Sequence, residues 1–137
     1  MNLVLYGTLR RGEPNFELLE LEDRLTFIRQ VTFPGLMYDL GDYPAVVRSA
    51  TGGTVVGELF ALADESVLAL LDDFELFRPE DAAPYDRDTE RGSLYLRETI
   101  RIDEGQAYVY LFNDPGGTLR TRPLIRSGDW LLHIASR

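Results

Sequence analysis

The 137-residue chain contains no cysteine, which removes thiol nucleophiles, disulfide frameworks and cysteine-ligated metal or iron–sulfur sites. It has a single histidine, His133, so one chain cannot supply a multi-histidine metal centre. All 14 basic residues are arginine; without lysine there is no Schiff base and no phosphate-loop ammonium. Long apolar runs are missing too, and none approaches the ~20 residues that cross a bilayer. The first residues, Met1 to Gly7, lack the charged lead-in of a secretory signal, so a cytoplasmic location is expected. Positive charge is scarce: 14 basic against 23 acidic residues leave a net charge of −9. That balance argues against nucleic-acid and anionic-membrane partners. Any chemistry must run on carboxylates, hydroxyls, arginines or backbone amides, with no cofactor expected.

What remains is an ordinary globular composition, 45 % hydrophobic and 27 % charged, long enough for a core of its own. No repeat or linker interrupts it, and residues 1–137 read as one domain. Leu3 to Tyr6 is a short apolar run ending at Gly7, the pattern of a buried strand. After the loop Gly7 to Asn15, Asn15 is placed to cap a helix through about Asp23, burying Phe16, Leu19 and Leu18. Strands are expected over Thr26–Phe33, Leu36–Leu40 and Ala45–Arg48, with Gly52-Gly53 as a hairpin turn into Thr54–Leu62. The clearest helix follows: Asp64 is a plausible N-cap, and Val67, Leu68, Leu70, Leu71 and Phe74 form its apolar stripe. Phe77 to Gly92 reads as a polar surface loop. Leu94–Ile102 and Gln106–Phe112 form a strand pair around Asp103-Glu104-Gly105, with Tyr108, Tyr110 and Phe112 on one core face. Asn113 to Pro123 is a further loop, and Trp130 to Ile134 is apolar, with His133 read as packed or solvated. The sum is an α+β fold on a small mixed, mostly antiparallel sheet or barrel with flanking helices.

Two places draw attention for chemistry. Glu75 lies four residues after Leu71 and seven after Leu68, within ~40° of both on a helix. A carboxylate there sits on the apolar stripe at the negative end of the helix dipole, and both desolvation and the dipole raise its pKa, as suits a general base. If the helix frays after Phe74, the same residue is an ordinary solvated glutamate. The turn Tyr6-Gly7-Thr8-Leu9 is the second place. A glycine ending a buried strand allows close approach to the backbone, and exposed N–H groups there suit an anion or an oxyanion; read alone, it is equally a plain strand-to-loop glycine.

Taken in order, several stretches resemble the γ-glutamylcyclotransferase-like superfamily, in particular its γ-glutamylamine-cyclotransferase-type branch. They are Leu5-Tyr6-Gly7-Thr8-Leu9-Arg10-Arg11-Gly12-Glu13-Pro14-Asn15, Gly35 to Leu40, Tyr43-Pro44-Ala45, Val56-Gly57-Glu58-Leu59-Phe60, Leu71-Asp72-Asp73-Phe74-Glu75, Tyr95 to Glu98 and Ala107 to Tyr110. The resemblance runs from residue 3 to about 112. It implies a small mixed barrel with flanking helices and a cavity at the end of the first strand. It also implies Glu75 as the catalytic glutamate and Tyr6, Gly7, Thr8 and Leu9 as the substrate-binding loop. Tyr43 and Tyr95, inside two of the matched stretches, are additional candidate pocket residues. The implied activity is metal-independent release of 5-oxoproline from a small γ-glutamyl amine or γ-glutamyl amino-acid compound. The alternative is a non-catalytic small-molecule binding domain of the same fold. This sequence departs from the family in having Leu76-Phe77 where glycine usually follows the glutamate. The link to Tyr95 is also longer, and such a loop beside the site would act as a lid, narrow the substrate range or accompany a changed activity.

Overall fold

A computed structural model describes all residues 1–137. Its centre is a five-stranded sheet formed by β1 (Asn2–Leu5), β2 (Leu25–Pro34), β5 (Thr54–Leu62), β6 (Tyr95–Ile102) and β7 (Gly105–Phe112), in the order β2-β5-β1-β7-β6. Only the β1–β7 pair is parallel; β1–β5, β2–β5 and β6–β7 are antiparallel. The edge strands β2 and β6 approach each other without pairing, so the barrel is incomplete. Arg29 on β2 ties the gap from outside, its guanidinium 2.6 Å from Glu104 Oε1 in the β6–β7 turn. A second, two-stranded sheet pairs β3 (Leu36–Asp39) with β4 (Pro44–Val47). The helices are α1 (Pro14–Leu18), α2 (Ser66–Phe74) and α3 (Trp130–Ala135), and none is long and apolar enough to cross a membrane.

The apolar run of β1 forms the central strand because both its faces are covered. Val4 and Tyr6 join one core with Val31, Phe33, Leu59, Val109 and Trp130, while Leu3 and Leu5 join another with Phe16, Phe60, Leu71 and Tyr110. On β7 the alternation expected from sequence holds: Ala107, Val109 and Leu111 face the first core, and Tyr108, Tyr110 and Phe112 the second. In β2 the register against β5 slips between Phe27 and Arg29, leaving Ile28 as the extra, exposed residue of a bulge. Leu25 and Phe27 therefore pack with the second core, whereas Val31 and Phe33, of the same parity, pack with the first.

Three local expectations are corrected. The first helix does not run from an Asn15 cap to Asp23. Pro14 supplies the φ of a first helical turn, so α1 starts with Glu13 as its capping residue and no side-chain cap, and it ends at Leu18. Glu20 then turns left-handed into a 3₁₀ turn at Leu21–Asp23, which buries Leu21 and leaves Leu18 73 % exposed. Gly52-Gly53 is not a hairpin turn: β4 pairs with β3, and β5 with β1 and β2. The glycines instead carry the chain from one sheet to the other, so close to Gly35 that a Cβ on Gly53 would lie 2.4 Å from its carbonyl oxygen. At α2 the N-cap is Glu65 and not Asp64, although Asp64, one residue earlier, still accepts from Ser66 N at 2.8 Å.

The long loop after α2 is pinned to the body and does not hang over it. The buried Ser93 hydroxyl accepts from Arg78 N (2.8 Å) and donates to the Asp81 carbonyl (2.8 Å), while Asn113 Nδ2 donates to the carbonyls of Ala82 and Ser93 at 2.9 and 3.0 Å. Ser93→Ala leaves a buried N–H and a carbonyl without partners, so a loss of about 1–3 kcal/mol is expected. Thermal unfolding followed by circular dichroism measures it; an unchanged midpoint would show that the loop is held otherwise.

Candidate active site

Where β1 ends, the chain turns away from the sheet at Gly7, closing a turn with Arg10 N on the Gly7 carbonyl at 3.1 Å. Below this turn lies a cavity of about 400 Å³. Tyr6, Gly7, Thr8, Leu9, Tyr43, Glu75 and Tyr95, all the residues singled out in the sequence, line it together. The amide N–H groups of Gly7, Thr8 and Leu9 have no acceptor within the protein, leaving them as free donors at the cavity wall. Gly7 owes its identity to packing as well as to the turn: a Cβ there would lie 2.9 Å from the ring of Pro44. Pro44 in turn accepts the Tyr95 hydroxyl through its carbonyl, at 2.6 Å.

Glu75 follows directly on α2, and its N–H still bonds the Leu71 carbonyl at 2.8 Å, which continues the helical phase and turns the side chain into the cavity. Glu75 is half-buried as a residue, and the enclosure of its carboxylate by protein pushes its pKa from 4.5 up to about 8. No ion pair or hydrogen bond opposes that rise. The Tyr6 hydroxyl is raised well above its usual range, first by burial and then by the Glu75 charge; Tyr95 is raised by burial, by Tyr6 and by Glu75. Both hydroxyl protons are committed to backbone carbonyls, Tyr6 to Tyr110 at 2.5 Å and Tyr95 to Pro44. The cavity therefore holds one titratable group that is both raised toward neutrality and free of a protein partner: Glu75.

Other residues of the site were not singled out in the sequence. Asn15 and Tyr110 also line the cavity. Tyr110 donates to Asp72 Oδ1 at 2.6 Å, and Arg97 pairs with the same carboxylate at 2.9 Å, which fixes the register of α2 against β6 and β7. Behind the loop, Arg10 and Glu58 are each about 95 % buried, since only 4 % and 5 % of their surface is exposed. Arg10 sits 3.4 Å from Glu58 and 2.9 Å from Asp129, the N-cap of α3, while Glu58 accepts Arg11 N at 2.9 Å. A lone carboxylate inside the apolar run Thr54–Leu62 was the available signal for Glu58. Asp39 is held at about 2: burial raises it, but the hydrogen bonds of His133, Gly41 N–H and Arg137 more than offset this. His133 is thus a bonded residue of the α3 packing, away from the cavity.

Leu76, the departure noted beside Glu75, has φ of +54°, the left-handed region that glycine enters without strain. Leu76 lines the cavity, as does Leu94 at the other end of the long loop, whereas none of the loop's acidic residues does.

Fold and site together define an α+β domain with an enclosed carboxylate set beside free backbone amides. The sequence matches the family described as "Gamma-glutamyl cyclotransferase, AIG2-like" over residues 3–132, and the chain belongs to that family. It is 36 % identical over 133 residues to the "Putative gamma-glutamylcyclotransferase" of Vibrio cholerae, covering 96 % of each chain. It is 30 % identical over 131 residues to the "Gamma-glutamylcyclotransferase family protein YtfP" of Escherichia coli K12, again with 96 % of each covered. The solution structure of ytfP from Escherichia coli superimposes with a TM-score of 0.65 over 98 % of this chain and 99 % of that one. The crystal structure of a mouse AIG2-like protein, 23 % identical, shares the fold with a TM-score of 0.62 over 91 % of this chain and 85 % of that one.

Proposed function

We propose that this protein is a γ-glutamylcyclotransferase that closes the glutamyl group of a γ-glutamyl amine or amino-acid compound onto its own α-amine. The reading rests above all on Glu75, an unpaired carboxylate raised to about 8 in a cavity that also presents the free amides of Gly7, Thr8 and Leu9. Family membership and the names carried by the relatives support the same reaction class.

The composition leaves no thiol and no lysine, and this reaction needs neither. The substrate's α-amine is the nucleophile, and its tether to the γ-carbonyl makes attack intramolecular, so most of the entropic cost is already met. Glu75 takes a proton from the α-ammonium group. An ordinary α-amino group titrates near 8 and one beside a free α-carboxylate, as in a γ-glutamyl compound, somewhat higher, so a carboxylate at about 8 accepts that proton at a small energetic cost. The amine nitrogen bonds to the carbon of the γ-carbonyl, and the loop amides stabilise the tetrahedral oxyanion. Collapse breaks the amide C–N bond as Glu75 gives its proton to the departing nitrogen; the ring nitrogen passes its surplus proton to the freed Glu75 carboxylate and so to the amine or to water, and 5-oxoproline and the free amine leave. The Tyr6 and Tyr95 hydroxyls, locked on carbonyls, shape the cavity and exchange no proton.

The test is a panel of γ-glutamyl compounds incubated with purified protein, with 5-oxoproline and free amine quantified. Equimolar release of both from at least one compound is expected. Tight binding without release would instead favour the non-catalytic domain.

A further inference from the structure

Three non-glycine residues have positive φ: Glu20, Leu76 and Glu90. Glu20 and Glu90 are exposed in surface turns, where strain has no consequence for a ligand. Leu76 alone lines the cavity, directly after Glu75. A γ-branched side chain in the left-handed region costs about 1–2 kcal/mol, and nothing in the backbone pattern demands leucine there. Its N–H bonds the Asp73 carbonyl at 3.2 Å and its carbonyl accepts Leu94 N at 3.0 Å, bonds that glycine or asparagine would make equally well. The strain is therefore tied to the side chain of a residue that lines the site.

The surroundings give that side chain a use. Leu76, Leu94, Phe74 and the ring of Tyr95 form an apolar wall, because the Tyr95 hydroxyl is turned onto Pro44. Tyr43 stands edge-on to Tyr95, with ring centroids 6.5 Å apart. No arginine lines the cavity, and its charged residues are the carboxyls of Glu75 and the exposed Asp42. A carboxylate on the departing half of a substrate would find no cation and two acids. A cationic amine would find only Asp42, in contact with solvent, where its attraction is screened. An apolar group would find a ready surface.

We propose that Leu76 is a specificity-determining residue, held in a strained backbone to keep an apolar wall beside Glu75, and that the cavity selects γ-glutamyl amides whose amine half is apolar or aromatic. This rests on the cyclotransferase reading and sharpens it to a substrate class.

The experiment compares kcat/KM for γ-glutamyl benzylamide, γ-glutamyl-ε-lysine and γ-glutamyl-alanine in the wild type, Leu76→Gly and Leu76→Asn. Both replacements adopt the left-handed conformation readily, and asparagine keeps nearly the size of leucine while removing its apolarity. The wild type should prefer the benzylamide by at least about 10-fold, the usual worth of an apolar pocket contact. Both variants should lose most of that preference, with unchanged or higher melting temperatures. A wild type that favours the lysine or alanine compound overturns the substrate class. Variants that retain the full preference overturn the role of Leu76. Failure of all three compounds to give 5-oxoproline would instead overturn the cyclotransferase reading, and this proposal with it.

Discussion

Glu75→Gln is expected to lower the rate of 5-oxoproline release by about 10²–10⁴-fold, the range that general acid–base catalysis supplies. Glutamine keeps the shape of the side chain and removes the proton exchange. KM should change little if, as proposed, the glutamyl group is held chiefly by the amides of Gly7, Thr8 and Leu9, which the substitution leaves in place. Steady-state kinetics on the best compound of the panel provides the measurement, with calorimetric binding as the companion. A variant that turns over at the wild-type rate would remove Glu75 from the chemistry, and one that fails to fold would make its role structural.

The same substitution should change how stability depends on pH. In the unfolded chain the Glu75 carboxyl titrates near 4.5; in the fold it titrates at about 8. Below the lower value both states carry the proton and nothing is lost. As pH rises from about 4.5 to about 8, the folded state holds a proton that the unfolded state releases, so stability falls with pH, and above about 8 the fall stops. The limiting loss for a rise from 4.5 to about 8 is about 5 kcal/mol, lessened by whatever water enters the cavity. Asp39, lowered to about 2, acts in the opposite sense, and the stability it adds is lost only as pH falls through about 2. It is present in both proteins and cancels in their difference. Urea unfolding of wild type and Glu75→Gln between about pH 5 and about pH 9 should therefore give curves that diverge with rising pH, the glutamine variant being the more stable. Parallel curves would mean that Glu75 ionises in the fold as it does in water. Taken together, the two expectations place activity and stability in opposition at one residue, as preorganised sites commonly do.

Much of this was legible in the sequence, for physical reasons that differ by element. The stripe of α2 and the alternation of β7 are periodic signals, and they located both cores and carried Glu75 into the cavity. The glycine after β1 marked the loop, although packing against Pro44 is a contact between residues 37 positions apart that no local pattern encodes. Gly52-Gly53 was misread because a diglycine shows where a chain turns and not which strands it joins. Arg10 and Glu58 went unnoticed because each reads as a surface charge until its partner is known. The long loop was legible as a loop, but its anchoring depends on Asn113 and Ser93, from either side of β6 and β7. Leu76 was visible as a departure from the family, while the backbone conformation that makes it informative belongs to the fold alone.

The bulge at Ile28 governs which changes of length this chain can absorb. Replacing an exposed residue there is cheap, and deleting it restores an unbroken two-residue period. Phe27 and Arg29 would then be neighbours opposite Phe60 and Leu59, the register they already hold, so Leu25 and Phe27 keep their core and Val31 and Phe33 keep theirs. An insertion in β5 opposite it would instead pair with Ile28 and bring Phe60 and Leu59 onto one face, turning one of them out of its core. Lengthening or shortening is free, by contrast, at the exposed tip of the long loop, near residues 86–90, whose backbone contributes nothing to the cavity. Gain of residues is thereby channelled away from the sheet and toward the loop. There new segments can be added or trimmed without disturbing the register that sets Gly7 beside Glu75.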